Sequence, residues 1–514
     1  MSRSIMTLSS HWLRGPGLLL GLSLALSVQA QTPVEVTEAS IRELQLAMMA
    51  KRLNAVQLVD AYMARIAAYD DAGPALNTLI TLNPDARAEA VALDEERAIT
   101  GPRSPLHGIP VILKDNYSTS DLPTTGGSKA LAGFVPNADA TQVRRLREAG
   151  AIILGKANLH EFAYGITTIS SLGGQTRNPY DPSRIPGGSS GGTAAAIAAS
   201  FAAVGMGSDT CGSIRIPAAY NDLVGLRPSK GFSSIYGIMP LASTQDVAGP
   251  LARSFEDLAV VLDIVAGYDP NDVATLPMQA RPRTQFRNRL GSEMLAGLRI
   301  GRLLNYVESA DAPVREGLEQ AFAQLASRGA LIVDVRIPGM NELLSASGLI
   351  GQEFEVDLNA YLEQFGANTT LEAIVASGQY DPAVATVLTR SAAGQQDSVV
   401  YQAALAQRAQ LKAAIDSAMR EAGVDVLAYP PIAALPVPIG ESQPGNNCSL
   451  SANSGLPALA LPIGFTAEGL PLSLELLGEA FSDEQLLARG YAIEQVFSAR
   501  HAPDTTPPLV DAGS

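Results

Sequence analysis

Apolar residues recur at helical spacing through 41–69. Leu44, Leu46, Met48 and Met49, then Val56, Leu58, Val59, Tyr62 and Ile66, predict two helices stopped at Gly73-Pro74. The runs 108–113 and 151–154 are short and apolar, as buried strands are, with a helical pattern over 144–149 before the second. An alanine-rich stretch predicts a helix over 193–203, just after a glycine cluster, and 224–226 reads as a strand. Residues 267–297, rich in Pro, Arg and Asp, read as a long connection. Strands at 298–301 and 331–335 flank a helix over 314–325. The region 341–422 is helical in pattern almost throughout and interrupts the strand–helix alternation, as a cap-like region over a site does. Strands return at 424–428, 458–461 and 472–477, a helix closes at 483–496, and the Pro- and Thr-rich end 502–514 is expected to be a loose tail. This alternation predicts one α/β domain over 36–498 with a largely parallel or mixed sheet covered on both faces.

The composition fits a large core. The chain has 514 residues, 46% hydrophobic and 17% charged, which excludes general disorder. Its net charge of −15 argues against nucleic acid or an anionic membrane surface as partner. Residues 1–30 read as a signal peptide: Arg3 and Arg14 charge the start, 17–28 is uncharged and apolar, and Val28-Gln29-Ala30 is a small-residue cleavage site. The apolar core is too short to span a bilayer, which needs about 20 residues. Cleavage there removes two arginines and no acid, takes the net charge from −15 to −17, and predicts a periplasmic or secreted chain beginning at Gln31. The uncharged stretch 186–208 is mostly Gly, Ala and Ser, so a buried core helix is expected rather than a span; the mature chain is expected to have none. The pattern fixes no oligomeric state.

Three positions carry candidate chemistry. Ser213 follows the small-residue run Gly207-Ser208-Asp209-Thr210-Cys211-Gly212 with no histidine nearby, so a serine nucleophile here needs another base. Lys114 ends the apolar run 109–113; burial would lower its pKa from about 10.4 and let it accept a proton. Ser189 stands between them in Gly187-Gly188-Ser189-Ser190-Gly191-Gly192. The N–H groups of Thr210, Cys211, Gly212 and Ser213 can converge on one oxyanion if the turn is tight. Each has a plainer explanation: a helix N-cap for Ser213, a strand-end lysine paired with Asp115 for Lys114, a flexible loop for the Gly-Ser stretch.

Taken together, in the order Lys114, Ser189, Ser213 with separations of 75 and 24, these motifs resemble the amidase signature family. The words Lys114-Asp115-Asn116, Gly174-Gln175-Thr176-Arg177-Asn178-Pro179 and Gly225-Leu226-Arg227-Pro228-Ser229 are similar to it as well. The signature stretch covers 108–250, and weaker resemblance reaches 464. The resemblance implies the amidase signature α/β/α sandwich, a large twisted mixed sheet covered by helices. It implies a Ser–cis-Ser–Lys triad in which Ser189, after a cis peptide bond, relays the Ser213 proton to Lys114. Ser190, Asp209 and Arg215 then take supporting positions. Cys211 departs from the glycine common at its position: its side chain narrows the oxyanion turn or pairs with Cys448, and both alternatives stand open.

The function implied is an exported amidase that forms an acyl-enzyme on Ser213 and releases ammonia or an amine, without metal or cofactor. The stretch Glu353-Phe354-Glu355-Val356-Asp357-Leu358 resembles the branch that includes peptide amidases, so a small-molecule or peptide amide is the expected substrate. An aryl acylamide, carbamate or ester hydrolase on the same triad is the alternative. A second is an α/β-hydrolase-type esterase, since Gly188-Ser189-Ser190-Gly191-Gly192 roughly matches G-x-S-x-G, with His501 the histidine in the right order. But Arg184-Ile185-Pro186, not an apolar strand, precedes that stretch. A non-catalytic binding protein of this fold is a third. No H-E-x-x-H occurs, and His160-Glu161 stands alone.

Overall fold

The computed structural model describes residues 35–394 and 397–509; the expected signal peptide 1–30 and the last residues of the expected tail, 510–514, lie outside the described residues. The strands are β1 (Leu79–Leu82), β2 (Pro110–Lys114), β3 (Ile152–Ala157), β4 (Ile169–Ser170), β5 (Gly174–Gln175), β6 (Val204–Asp209), β7 (Val224–Arg227), β8 (Val247–Ala252), β9 (Arg299–Leu303), β10 (Leu331–Val335), β11 (Val426–Tyr429), β12 (Ala458–Phe465) and β13 (Pro471–Leu477). Eleven of them form one sheet in the order β1-β3-β2-β6-β8-β7-β12-β13-β11-β9-β10, and β4 pairs with β5. The sheet is mixed. β2 runs parallel to β3 and β6, and β9 parallel to β10 and β11. From β6 through β8, β7, β12 and β13 to β11 every pairing is antiparallel.

Every residue of β2, β3, β6, β7 and β8 is buried, so helices cover both faces at the sheet's centre. The helix Gly191–Ala198 packs on β6 and β2, Phe255–Val265 on β8, and Ala312–Ser327 and Asp483–Phe497 on β12. Gly205 sets one of these distances: a Cβ there would stand 2.4 Å from Thr193 Cγ2. A glycine strand against an alanine helix lets the two backbones approach closely. That is why 186–208 carries so few large side chains.

This same close packing overturns one expectation. The helix expected over 193–203 ends at Ala198, Ser200 takes a left-handed φ of 57°, and the chain returns as β6. The two expected helices near the start are Ile41–Met49 and Ala55–Tyr69, each opened by a capping box, Ser40 with Glu43 and Asn54 with Gln57. The cap-like region holds the helices Met340–Ser345, Ile350–Gln364, Leu371–Ser377, Ala385–Ala392 and Ser398–Ala422. Phe354, Leu358 and Leu362 from it pack with Phe162, Met239 and Leu241 in one apolar cluster. The connection over 267–297 contains short helical turns, Val273–Thr275, Leu276–Gln279 and Phe286–Arg289.

The described part of the C-terminal stretch is not loose. Buried Arg65 donates to the carbonyls of Thr506 at 2.8 Å and Pro507 at 3.0 Å, and Thr506 is itself buried. A guanidinium taken out of water must find acceptors, and these two carbonyls supply them together with those of Ala199 and Ser200. Among the described residues no helix is long and apolar enough to cross a membrane.

Candidate active site

Two strand ends and one helix start build the site. β2 and β6 run parallel with Leu113 opposite Met206, so their carboxyl ends lie side by side. Lys114 is the last residue of β2 and is fully buried. Its Nζ lies 2.7 Å from Ser189 Oγ, 2.8 Å from Ser208 Oγ and 3.4 Å from the Ser208 carbonyl. Asn116 Nδ2 also donates to Ser208 Oγ, at 3.0 Å. Ser189 directly precedes Ser190, the N-cap of the helix Gly191–Ala198, and its preceding peptide bond is cis. Asp115 turns the other way and pairs with buried Lys156 at 3.1 Å, so Lys114 has no carboxylate in contact.

Ser213 closes the turn that follows β6. The helix Arg215–Tyr220 is capped by Ile214, so Ser213 is not its N-cap. The Ser190 N–H donates to the Ser213 carbonyl at 3.2 Å, which ties the turn to the start of the other helix; Ser190 Oγ donates to the Ser208 carbonyl at 3.2 Å. Gly212 has φ +88°, a left-handed conformation that a side chain would strain, and a Cβ there would stand 2.7 Å from Ile216 Cδ1 and 3.0 Å from Cys448 Cβ. A disulfide joins Cys211 to Cys448, with Cα atoms 4.9 Å apart, and straps the turn to the helix Ser449–Ser454.

Asp209 organises the turn from beneath. Its carboxylate accepts from the N–H groups of Gly212 at 2.7 Å and Ile214 at 3.1 Å, from Arg215 Nε at 3.1 Å and from Arg227 Nη1 at 2.9 Å. The Gly212 N–H is therefore engaged by a carboxylate, unlike its expected place among the oxyanion donors. Arg215 also donates to Glu475 Oε1 at 2.5 Å, and the Tyr429 hydroxyl donates to the same oxygen at 2.7 Å. Burial opposes the Asp209 charge, but Arg215 and Arg227 outweigh it and hold the carboxyl well below its usual range.

Lys114 goes the opposite way. Burial is the largest influence and favours the neutral amine; the more distant Asp209 and Asp246 only partly offset it, and the pKa falls to about 7. The result is a lysine that loses its proton near neutrality, hydrogen-bonded to Ser189, whose neighbour Ser190 is tied to the Ser213 turn. Such an arrangement can accept a proton through a hydroxyl relay.

Lys114, Ser189, Ser190, Ser213, Asp209, Arg215, Thr210 and Cys211 all fall within this one site. Sequence reasoning missed Ser208, Asn116, Arg227, Gln245 and Asp246. Asp246 accepts from Thr210 Oγ1 and from the N–H groups of Leu241 and Ala242 at 2.9 and 3.1 Å. Arg227 and Asn116 lie in words already read for their similarity, and burial of their charge or amide was the available signal. His501, required by the esterase alternative, stacks on Phe465 with ring centroids 3.9 Å apart, whereas Ser189 Oγ faces Lys114. Among the described residues no group of His, Cys, Asp and Glu side chains is placed to hold a metal ion.

Comparison with known proteins gives three kinds of match. Residues 57–487 match the model of the family described as Amidase. A subunit of glutamyl-tRNA(Gln) amidotransferase from Synechococcus sp. is 36% identical over 490 residues, covering 89% of this chain and 98% of that protein. The crystal structure of a peptide amidase from Stenotrophomonas maltophilia superposes with a TM-score of 0.85 at 39% identity, covering 91% of this chain and 99% of that one. An amidase family protein from Bacillus anthracis superposes with a TM-score of 0.82 at 32% identity, covering 91% and 93%.

Proposed function

The chain belongs to the amidase family and is an enzyme acting on carbon–nitrogen bonds, and from that premise we propose that it hydrolyses carboxylic amides through an acyl-enzyme on Ser213. The observation that carries this reading is the 2.7 Å contact of Lys114 with Ser189 beside the Ser213 turn, deep in a site that holds Lys114 near neutrality. A neutral amine has two N–H groups and one lone pair. The N–H groups fit Ser208 Oγ at 2.8 Å and the Ser208 carbonyl at 3.4 Å, which leaves the lone pair for the Ser189 hydroxyl. Ser189 then takes the proton of Ser213 as Ser213 Oγ attacks the acyl carbon. The N–H groups of Thr210, Cys211 and Ser213 face the oxyanion of the tetrahedral intermediate. The proton returns through Ser189 to the leaving nitrogen, ammonia or amine departs, and water cleaves the acyl-enzyme.

A C-terminal peptide amide is the substrate this reading favours, on the similarity to the peptide amidase; aryl acylamides, carbamates and esters use the same triad. The similarity to the amidotransferase protein favours a second reading, release of ammonia from the side-chain amide of glutamine. Export is part of the proposal: Arg3, Arg14, the apolar run 17–28 and Val28-Gln29-Ala30 support a cleaved leader, and the Cys211–Cys448 disulfide suits an oxidising compartment.

The test is ammonia release from a C-terminally amidated peptide and from free glutamine, by the chain beginning at Gln31 and by Ser213→Ala. Release from the peptide amide that vanishes in the variant is expected. Release that persists in Ser213→Ala sinks the nucleophile; release from glutamine alone selects the second reading.

A further inference from the structure

Two consecutive peptide groups of the Ser213 turn are held by their carbonyls from outside the triad. Arg227 Nη1 donates to the Asp209 carbonyl, and Gln245 Nε2 donates to the Thr210 carbonyl at 3.3 Å. A third, that of Gly212, accepts from the Ile216 N–H at 2.8 Å. In a planar trans peptide the C=O and the following N–H point in opposite directions. Anchoring the carbonyls of Asp209, Thr210 and Gly212 therefore aims the N–H groups of Thr210, Cys211 and Ser213 the other way. Those three are the donors left once Asp209 has engaged Gly212.

Arg227 and Ile216 are built into the sheet and the following helix, but Gln245 is held by the cap-like region. Arg408, on the helix Ser398–Ala422, donates through Nη2 to Gln245 Oε1, through Nη1 to Thr244 Oγ1 at 2.6 Å and through Nε to the Ser347 carbonyl at 2.9 Å. Guanidinium has donors only, so it fixes which end of the Gln245 amide faces it: the oxygen, leaving the NH₂ for Thr210. Glu353, on the helix Ile350–Gln364, accepts from the Thr244 N–H at 3.0 Å and from Thr244 Oγ1 at 2.6 Å. Asp357 accepts from the Ser243 N–H at 2.7 Å. Gln245 itself is buried.

We infer that Gln245, oriented by Arg408, is a positioning residue for the oxyanion donors, and that the cap-like region acts on the transition state through it. The inference rests on Ser213 being the nucleophile. Gln245 touches neither substrate nor triad; it sets the tilt of the Thr210–Cys211 peptide. Loss of a whole oxyanion donor costs about 10²–10³ in kcat. A donor still present but free to tilt should cost less, roughly ten- to a hundredfold.

The experiment compares the wild type with Gln245→Met, which is close in shape and lacks the side-chain hydrogen bonds to Arg408, Leu349 and Thr210, and with Gln245→Glu, which keeps the acceptor for Arg408 and lacks the donor to Thr210. Two readouts separate positioning from general damage. One is kcat and KM on the amidated peptide. The other is the affinity for a peptide aldehyde, whose adduct with Ser213 carries the oxyanion, against the matching peptide alcohol, which forms no adduct. The expected result in both variants is a kcat lower by about ten- to a hundredfold, KM within about twofold, aldehyde affinity falling in parallel and alcohol affinity unchanged. Aldehyde affinity equal to wild type, or equal losses for aldehyde and alcohol, would overturn the inference while leaving the triad standing. An aldehyde that forms no adduct with the wild-type Ser213 would overturn the acyl-enzyme reading and the inference with it.

Discussion

Lys114 and Lys156 show how two fully buried lysines one strand apart acquire different chemistry. Lys156 contacts Asp115 at 3.1 Å, whereas Lys114 contacts only hydroxyls and a carbonyl. Burial lowers the pKa of both, and that of Lys114, with no carboxylate in contact, falls to about 7. The sign for catalysis follows directly. Below that pKa the amine is protonated and cannot take the Ser189 proton; above it the base is free. The pH profile of kcat/KM should therefore rise through an acid limb centred near 7, and Lys114→Ala should lower kcat by about 10²–10⁴-fold. A profile flat between pH 5 and 9, roughly the window set by that pKa, would contradict Lys114 as the base. The burial of Lys114 was legible in the sequence because five apolar residues run into it. The part of Gln245 was not, because its neighbour Thr210 lies 35 residues away.

At the scale of elements, the Ser213 turn is pinned on both sides. The helix Gly191–Ala198 holds it through Ser190, and the Cys211–Cys448 disulfide joins it to the helix Ser449–Ser454 across 237 residues of chain. Closing so long a loop restricts the unfolded chain. Reduction with a dithiol should lower the unfolding free energy by about 2–5 kcal/mol, read as a lower urea midpoint in reductant. Cys448→Ser should reproduce that midpoint without reductant. Equal midpoints for the oxidised and reduced protein, with two free thiols counted after reduction, would show that the bridge adds no stability. Several elements here had no clear sequence signal. β6 and β8, Val-Gly-Met-Gly-Ser-Asp and Val-Ala-Gly-Pro-Leu-Ala, contain the glycines and the proline that ordinarily argue against a central strand. Pairing on both edges and close helix packing override that preference, and the same packing cuts the alanine-rich helix short at Ala198.

For the molecule as a whole, the proposed export rests on the leader-like start and suits the Cys211–Cys448 disulfide. Expressed with its full N-terminus in a bacterium that exports proteins, the chain should be recovered from the periplasm or medium with Gln31 as its first residue. A product in the cytoplasm that still starts at Met1 would contradict export. The sequence by itself determined the periodic helices, the runs of apolar strands and the helical region 341–422, because each leaves a local mark in composition or spacing, whereas Lys114, Ser189 and Ser213 stand out only through their joint resemblance to the amidase signature family. Only the tertiary structure decided what those residues touch. It placed Asp115 on Lys156 rather than Lys114, turned the Gly212 N–H onto Asp209, and joined the cap-like region to the Ser213 turn through Arg408 and Gln245. Those choices depend on which strands become neighbours and on which buried charges must be satisfied, and neither is written in the order of residues along the chain.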